Sequence, residues 1–181
     1  MNIFLVTPLY PPDIAEQARY IKETAARLAK KGHGITIVAY AHIPEKIPGV
    51  RIIAVSKRTL LPIRLIAYTK ALTSAAHTAD IIYAENGPSV ELPVTFVSLL
   101  MRLPFVMHIG DKAAHERSAK NVFLRYIKHL AHARARAVIA DMPATRPEIL
   151  PFQPVSLAEH AAYDTSWETH INSLTEIFTH V

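Results

Sequence analysis

Short apolar runs, bounded by turn-forming residues, recur along the first 140 residues of the chain. Apolar runs of this length are typical of buried strands. The predicted strands are 2–7, 35–40, 50–55, 81–84, 104–109 and 137–140. Strands that are apolar throughout and alternate with helices are typical of a parallel sheet covered on both faces. The pattern therefore predicts an α/β fold, a Rossmann-like parallel sheet of about six strands with helices on both faces.

The segments between these runs place apolar residues at helical spacing, which predicts helices. Beyond a first helix that follows Asp13, the predicted helices are 60–76, 90–101 and 121–133. Asp13 and Glu16 have the spacing of a capping box, so we predict that Asp13 caps the first helix. Gly32, after two lysines, predicts the end of that helix, because glycine readily adopts the left-handed conformation.

The alternation predicts three parts of the chain: a Rossmann-like domain over 1–141, a Pro-rich crossing segment over 142–155 and a terminal helix over 156–181. Thr165 and Glu168 have the spacing of a second capping box. A lone amphipathic helix would not stay folded, so we expect it to dock on the domain. The expected docking face consists of Trp167, Ile171, Leu174 and Phe178.

Composition excludes several function classes. Half of the residues are hydrophobic and 19% are charged, which excludes a disordered tail. The chain has no Cys, so a disulfide scaffold, a thiolate zinc site and a cysteine nucleophile are excluded. The net charge of +5 permits anionic partners without choosing among them. Nucleic acid is disfavoured because no recognised binding module accompanies the charge.

Motifs of the common α/β enzymes are missing from the sequence. No G-x-G-x-x-G follows the first strand, and neither a Walker A sequence nor a G-x-S-x-G elbow occurs. The N-terminus lacks the basic region of a signal peptide, and no apolar stretch is long enough to span a membrane. We therefore expect a cytoplasmic location, with peripheral contact at the inner membrane face as a further hypothesis.

Three stretches carry a family resemblance. "IFLVTPLYPPDIAEQARYIKETAARLAKKGHGITIVA", "ADIIYAENGPSVELPVTFVSLLMRLPFVMHIGD" and "RARAVIAD" resemble, in order, the acceptor-side domain of family-four glycosyltransferases of the GT-B fold. This likeness covers roughly residues 1–141. "SLAEHAAYDTSWETHINSLTEIF" is similar to the helix that crosses back onto that domain at the end of these enzymes. The resemblance implies one GT-B half with a terminal docking helix.

The resemblance also implies a function. A complete enzyme would transfer a sugar from a nucleotide sugar to a hydroxyl acceptor, without a required metal. The donor domain would fall where this chain has only residues 142–155, so we expect a separate donor-domain protein or a homodimer as partner. The acceptor would be a glycan or a lipid-linked molecule. No cofactor is expected, apart from a nucleotide-sugar donor if a donor domain is supplied. The alternative is a non-catalytic module that binds a glycan, a lipid headgroup or a partner protein.

Candidate site residues follow the predicted strands, because ligands of open parallel sheets bind at the carboxyl ends of the strands. The resemblance implies sugar contacts and proton transfer at His108 and Asp111, the predicted catalytic residues. The alternative is a structural His at a strand end and an Asp that caps a helix. The predicted substrate-binding residues are Tyr10, Asp13, Glu16, Glu85, Asn86, Gly87, Gly110 and Glu116. Glu85 to Gly87 alternatively form only a turn.

The loop before the first helix departs from the family. Where the family has a Gly-Gly pair that admits donor phosphates, this chain has Ile14-Ala15-Glu16-Gln17. Carboxylates at Asp13 and Glu16 would oppose a phosphate at a helix N-terminus. This difference weakens the case for donor binding and favours a purely structural helix start.

Basic residues mark two segments. The first, a candidate membrane surface or else a core helix with basic flanks, contains Lys57, Arg58, Arg64 and Lys70. The second segment could equally be such a surface or a solvated face, and it contains Lys120, Arg125, Lys128, Arg134 and Arg136. His129 and His132 have zinc-ligand spacing, and Glu168 and Glu176 have Glu-x7-Glu spacing, but both are interpreted as coincidences. No metal site is predicted.

Overall fold

A six-stranded sheet forms the centre of the molecule. The computed structural model describes residues 1–110, 121–140 and 157–181. The strands are β1 (Asn2–Thr7), β2 (Gly34–Tyr40), β3 (Val50–Val55), β4 (Ile81–Glu85), β5 (Phe105–His108) and β6 (Ala137–Ile139). All neighbouring pairs are parallel, in the order β3-β2-β1-β4-β5-β6. The predicted fold class is confirmed.

Helices cover both faces of this sheet. In the described part of the chain they are α1 (Glu16–Lys30), α2 (Leu61–Ala76), α3 (Pro88–Met101), α4 (Val122–Arg134) and α5 (Leu157–His180). Helices α1 and α5 pack on one face, and α2, α3 and α4 pack on the other. The crossing segment 142–155 lies outside the described residues.

The face under α1 and α5 has its own core. Ile21 and Leu28 of α1 and Trp167, Ile171 and Phe178 of α5 are all buried in one cluster against the sheet. Burying such a side chain stabilises the fold by about 1.5–3 kcal/mol. The apolar stripe of α5 is therefore the reason why this terminal helix stays on the domain.

The opposite face is built on Tyr68 of α2. Its ring is fully buried and stacks on Tyr40, with ring centroids 4.1 Å apart. The Tyr68 hydroxyl lies 3.0 Å from the backbone oxygens of both Thr7 and Val38. Burial raises the pKa of Tyr68 well above its usual value, so the hydroxyl keeps the proton that it donates. This contact ties α2 to the ends of β1 and β2.

The predicted capping of α1 is wrong. The helix begins at Glu16, its N-cap is Ala15, and no side chain caps it. Asp13 instead closes a turn, in which its N–H donates to the backbone oxygen of Tyr10 at 3.1 Å, and its carboxylate pairs with Lys57. The other end of α1 is as predicted, since Gly32 has a positive φ of 85°.

The capping box predicted at Thr165 is also wrong. The helix already begins at Leu157, so Thr165 lies inside it. The backbone oxygen of Thr165 accepts a hydrogen bond from the Thr169 hydroxyl at 2.9 Å. Residues 157–162 include alanines and a glutamate, which are good helix formers, and they extend the helix past the capping-box pattern.

Candidate functional site

Three neighbouring interior strands of the sheet each end in a polar residue. Thr7, Glu85 and His108 are the last residues of β1, β4 and β5. The register of the sheet pairs Glu85 with His108, and it pairs Val6 with Ala84 one residue before Thr7 and Glu85. Because side chains alternate along a strand, all three lie on the α1–α5 side of the sheet. We call them the polar row.

The members of the polar row contact each other. The Thr7 hydroxyl donates to Glu85 Oε2 at 2.5 Å, and Glu85 Oε1 lies 4.0 Å from His108 Nδ1. None of the three side chains is more than 1% exposed. A carboxylate buried this deeply is costly unless polar groups surround it, which the hydroxyl and the imidazole do. The three side chains therefore form one buried polar cluster.

A close turn covers the ring of His108. A Cβ on Gly110 would lie 3.0 Å from Cε1 and 3.3 Å from Nδ1 of the imidazole. The Gln17 side-chain amide donates to the Gly110 oxygen at 3.2 Å and holds the turn in place. Tyr20 of α1 stacks on His108 with ring centroids 4.6 Å apart. Only glycine at position 110 lets the backbone approach the ring this closely.

A second buried network lies beneath the row. The Tyr20 hydroxyl lies 2.6 Å from the Tyr83 hydroxyl and 2.7 Å from His170 Nε2. Burial raises the pKa of Tyr83 well above its usual value, so this hydroxyl stays protonated. His170 belongs to α5. The terminal helix thus contributes a polar group that contacts Tyr20, the residue that stacks on His108.

Sequence reasoning missed four members of these networks. Thr7 carries a weak signal, since it is the polar residue that ends an apolar run. Tyr20 and Tyr83 look like ordinary core aromatics at helix and strand positions. His170 has no local signal, because it lies 150 positions from Tyr20.

The predicted trio after β4 forms the start of α3. The Asn86 N–H donates to the backbone oxygen of His108 at 2.8 Å. Gly87 is the N-cap of α3 with a φ of 147°, and a Cβ there would lie 3.5 Å from Pro8 Cγ. The Gly87 N–H donates to Glu91 Oε1 at 3.2 Å. Both predicted glycines of the site, 87 and 110, thus stand where a side chain would be strained or crowded.

The remaining predicted site residues either have other surroundings or lie outside the described residues. Tyr10 is fully buried and its hydroxyl donates to the backbone oxygen of Glu45 at 3.1 Å. Burial raises the pKa of Tyr10 to about 12. Glu16 is exposed at the start of α1. Asp111 and Glu116 lie outside the described residues.

In the first basic segment, two cations contact other residues of the protein and two are exposed. Lys57 pairs with Asp13. Arg64 lies 5.4 Å over the ring of Tyr40 and donates to the Lys57 backbone oxygen at 3.4 Å. Two of the predicted membrane-surface residues are exposed, Arg58 and Lys70.

The second basic segment also differs along its length. Arg125 and Arg136 are exposed. Arg134 donates to the backbone oxygens of Ser98 and Leu103, at 3.3 and 3.4 Å, and so joins α4 to the end of α3. Lys120 lies outside the described residues.

Three of the four residues in the patterns interpreted as coincidences are exposed, and His132 is only partly exposed. His129 on α4 and both Glu168 and Glu176 on α5 are exposed. Over residues 1–110, 121–140 and 157–181, no three His, Cys, Asp or Glu side chains are grouped closely enough to hold a metal ion.

A family model decides the identity of the domain. The model of the glycosyl transferase 4-like domain matches residues 16–156. The chain belongs to this family. The match confirms the resemblance and places the polar row within or next to the matched part of this glycosyl transferase 4-like chain.

Solved structures support the fold. The chain is similar to Alr3699/HepE from Anabaena, solved with UDP and glucose, with a TM-score of 0.55 and 19% identity over 92% of this chain and 41% of that one. It is also similar to a putative UDP-N-acetylglucosamine 2-epimerase from Listeria monocytogenes, with a TM-score of 0.53 and 11% identity over 76% of this chain and 39% of that one. The UDP-GlcNAc 2-epimerase from Methanocaldococcus jannaschii gives 0.51 and 12%, over 78% and 40%.

These identities show a shared fold alone. The chain spans about two fifths of the length of each of these three structures. A comparison with curated proteins gives no match.

Proposed function

We propose that this glycosyl transferase 4-like chain is the acceptor half of a GT-B enzyme, which transfers a sugar from a nucleotide sugar to a hydroxyl once a donor domain is supplied by another chain. The observation that carries the proposal is the polar row of Thr7, Glu85 and His108. It lies at the carboxyl edge of an open parallel sheet, where ligands of such sheets bind.

The proposed chemistry is a displacement at the anomeric carbon. The acceptor oxygen forms a bond to that carbon, the bond from the carbon to the diphosphate oxygen breaks, and its electron pair leaves with the nucleoside diphosphate. The proton of the acceptor hydroxyl passes to a base. His108, with Glu85 beside Nδ1, is suited to hold that proton or to hydrogen-bond the sugar. Cationic groups of the donor domain would stabilise the departing diphosphate without a metal.

Release of nucleoside diphosphate tests this proposal. The purified chain is assayed with a panel of nucleotide sugars, alone and with a donor-domain protein recovered by pull-down from the native source. We expect little turnover alone and clear turnover after mixing. His108→Gln should lower that turnover by roughly 10²–10⁴-fold, and the matched control is His129→Gln, on the exposed side of α4.

Two outcomes would contradict the proposal. Robust turnover by the chain alone would remove the need for a second chain. Full turnover by the His108→Gln protein would remove the polar row from the chemistry, since a group that moves the proton cannot be dispensable.

One observation favours the second candidate, a non-catalytic binding module. All three members of the polar row are buried, so they can act by shaping the sheet edge without touching a substrate. Calorimetry separates the two functions. Binding of nucleoside diphosphates at the carboxyl edge supports the enzyme, whereas binding of acceptor-like glycans without diphosphate binding supports the module.

A further inference from the structure

The outer side of α2 and α3 is apolar. Exposed apolar side chains lie three and four residues apart on α3 and three apart at 63 and 66 of α2, which places them on the outward side of each helix, and one more lies at the start of α2. They are Leu61, Ile63, Ile66, Phe96, Leu99 and Leu100, all more than half exposed. Single exposed apolar residues are ordinary on a protein surface, but a contiguous set indicates an interaction surface.

Helix α4 extends this surface. It packs beside α3 over the same face of the sheet. Its exposed apolar residues are Val122, Phe123, Tyr126 and Leu130. We call the outer side of α2, α3 and α4 the apolar face.

The apolar face contains a groove between α2 and α3. Its volume is about 620 Å³, and its walls include Ile66, Leu92 and Phe96, with Lys70 at the same site. The groove is open along its length and lined almost entirely by carbon atoms, so it can take part of a hydrocarbon chain.

The exposed charges on the three helices themselves have one sign. The three helices contain a single carboxylate, Glu91, which is 2% exposed and therefore absent from the surface. The exposed cations on these helices are Lys70 and Arg125, and Arg58, Arg102 and Arg136 lie within three residues of a helix end. A second copy of the same face would bring like charges together, which disfavours pairing. An anionic lipid surface satisfies both the cations and the apolar side chains.

We propose that the apolar face docks on the surface of an anionic bilayer. The apolar side chains enter the boundary between headgroups and acyl chains, and the cations contact lipid phosphates. No helix in the described part of the chain is long and apolar enough to cross a membrane, so the contact is peripheral. This surface is larger than the basic segment at 57–70 and does not use Lys57 or Arg64, which are engaged within the protein.

Vesicle co-sedimentation of the full chain tests this proposal. Vesicles of phosphatidylcholine mixed with phosphatidylglycerol are compared with vesicles of phosphatidylcholine alone. We expect binding to the mixed vesicles that weakens as salt increases, because salt screens the lipid charge. Lys70→Ala should reduce the partition coefficient roughly fivefold, the effect of one basic residue at such a surface.

A pair of double variants isolates the apolar contribution. Phe96→Asp with Phe123→Asp places two carboxylates on the apolar face and should reduce binding at least roughly tenfold, since apolar contact is replaced by repulsion. Ile14→Asp with Ile43→Asp adds the same charge at exposed apolar positions off this face and should change binding far less. Circular dichroism and thermal melting check that both proteins stay folded.

Three results would overturn the proposal. The first is failure of the parent chain to bind mixed vesicles. The second is an equal loss of binding in both double variants, which would show that the added net charge, and not the apolar face, determines binding. The third is a dimer in light scattering that is broken by the Phe96→Asp and Phe123→Asp changes and binds no vesicles, which would assign the face to a second copy.

Discussion

The two helical layers of this domain differ in what they bury and in what they expose. The α1–α5 layer encloses polar and aromatic chemistry, with Tyr20, Tyr83 and His170 hydrogen-bonded inside it. The α2–α4 layer encloses mainly aliphatic side chains. It also exposes large apolar side chains, such as Ile66 and Phe96. A helix that is apolar all round normally lies in a protein interior. The α2–α4 layer therefore leaves apolar side chains exposed, as the proposed docking on a bilayer requires.

Trp167→Ala against Phe96→Ala gives the largest expected contrast. Trp167 is 5% exposed and stacks on Tyr20, so its truncation should lower the free energy of unfolding by about 3–5 kcal/mol. Phe96 is 55% exposed, so its truncation should change that energy by about 0.5 kcal/mol or less. Urea denaturation measures both values. Equal losses would show that the outer aromatics of α3 contribute to folding and are not held for a partner.

Tyr20→Phe tests the polar interior of the α1–α5 layer. The change removes the hydroxyl that contacts both Tyr83 and His170, and it should lower the free energy of unfolding by about 1–3 kcal/mol. Tyr126→Phe, on the exposed side of α4, is the matched control and should be close to neutral. The same denaturation experiment is used. A neutral Tyr20→Phe variant would mean that the network contributes nothing to stability.

Glu91→Gln tests the one carboxylate inside the α2–α4 layer. Burial raises the pKa of Glu91, against smaller opposing effects from the Gly87 N–H and the Lys128 charge. The native state therefore holds the proton more tightly than the unfolded chain, whose Glu pKa is about 4.3. The contribution of Glu91 to stability is fully present below that pH and is lost as pH rises through the native pKa.

The Glu91→Gln chain lacks this loss. Its stability relative to the parent chain should increase as pH rises above about 4.3 and then level off beyond the native pKa. Denaturation of both proteins across this pH range gives the difference, with the exposed Glu176→Gln as control. A difference that does not depend on pH would contradict the assigned direction of the pKa shift.

Lys22→Gln should have the smallest effect. Lys22 pairs with Glu45 on the outer side of α1, and the two side chains are 40% and 47% exposed. Water and salt screen such a pair, so its loss should cost about 0.2–1 kcal/mol. A much larger loss of unfolding free energy in urea denaturation would show that this surface ion pair contributes substantially to the stability of the fold.

The strands of the sheet were predictable because each apolar run is short and ends at a turn residue, as in 2–7 before Pro8. His108 and Glu85 followed from the rule that sites lie at strand ends. Helix starts were less predictable, because Asp13 has a tertiary partner, Lys57, that competes with capping. His170 could not be placed at all, since only the docking of α5 brings it to Tyr20.

Thr7 makes hydrogen bonds on both sides of the sheet. Its side chain contacts Glu85 on the α1–α5 side, while its backbone oxygen accepts from the Tyr68 hydroxyl of α2 on the other side. A displacement of α2 against the sheet would therefore act on the backbone of a residue whose side chain belongs to the polar row. Thr7 therefore connects α2, which belongs to the proposed docking face, with the proposed sugar site by two hydrogen bonds.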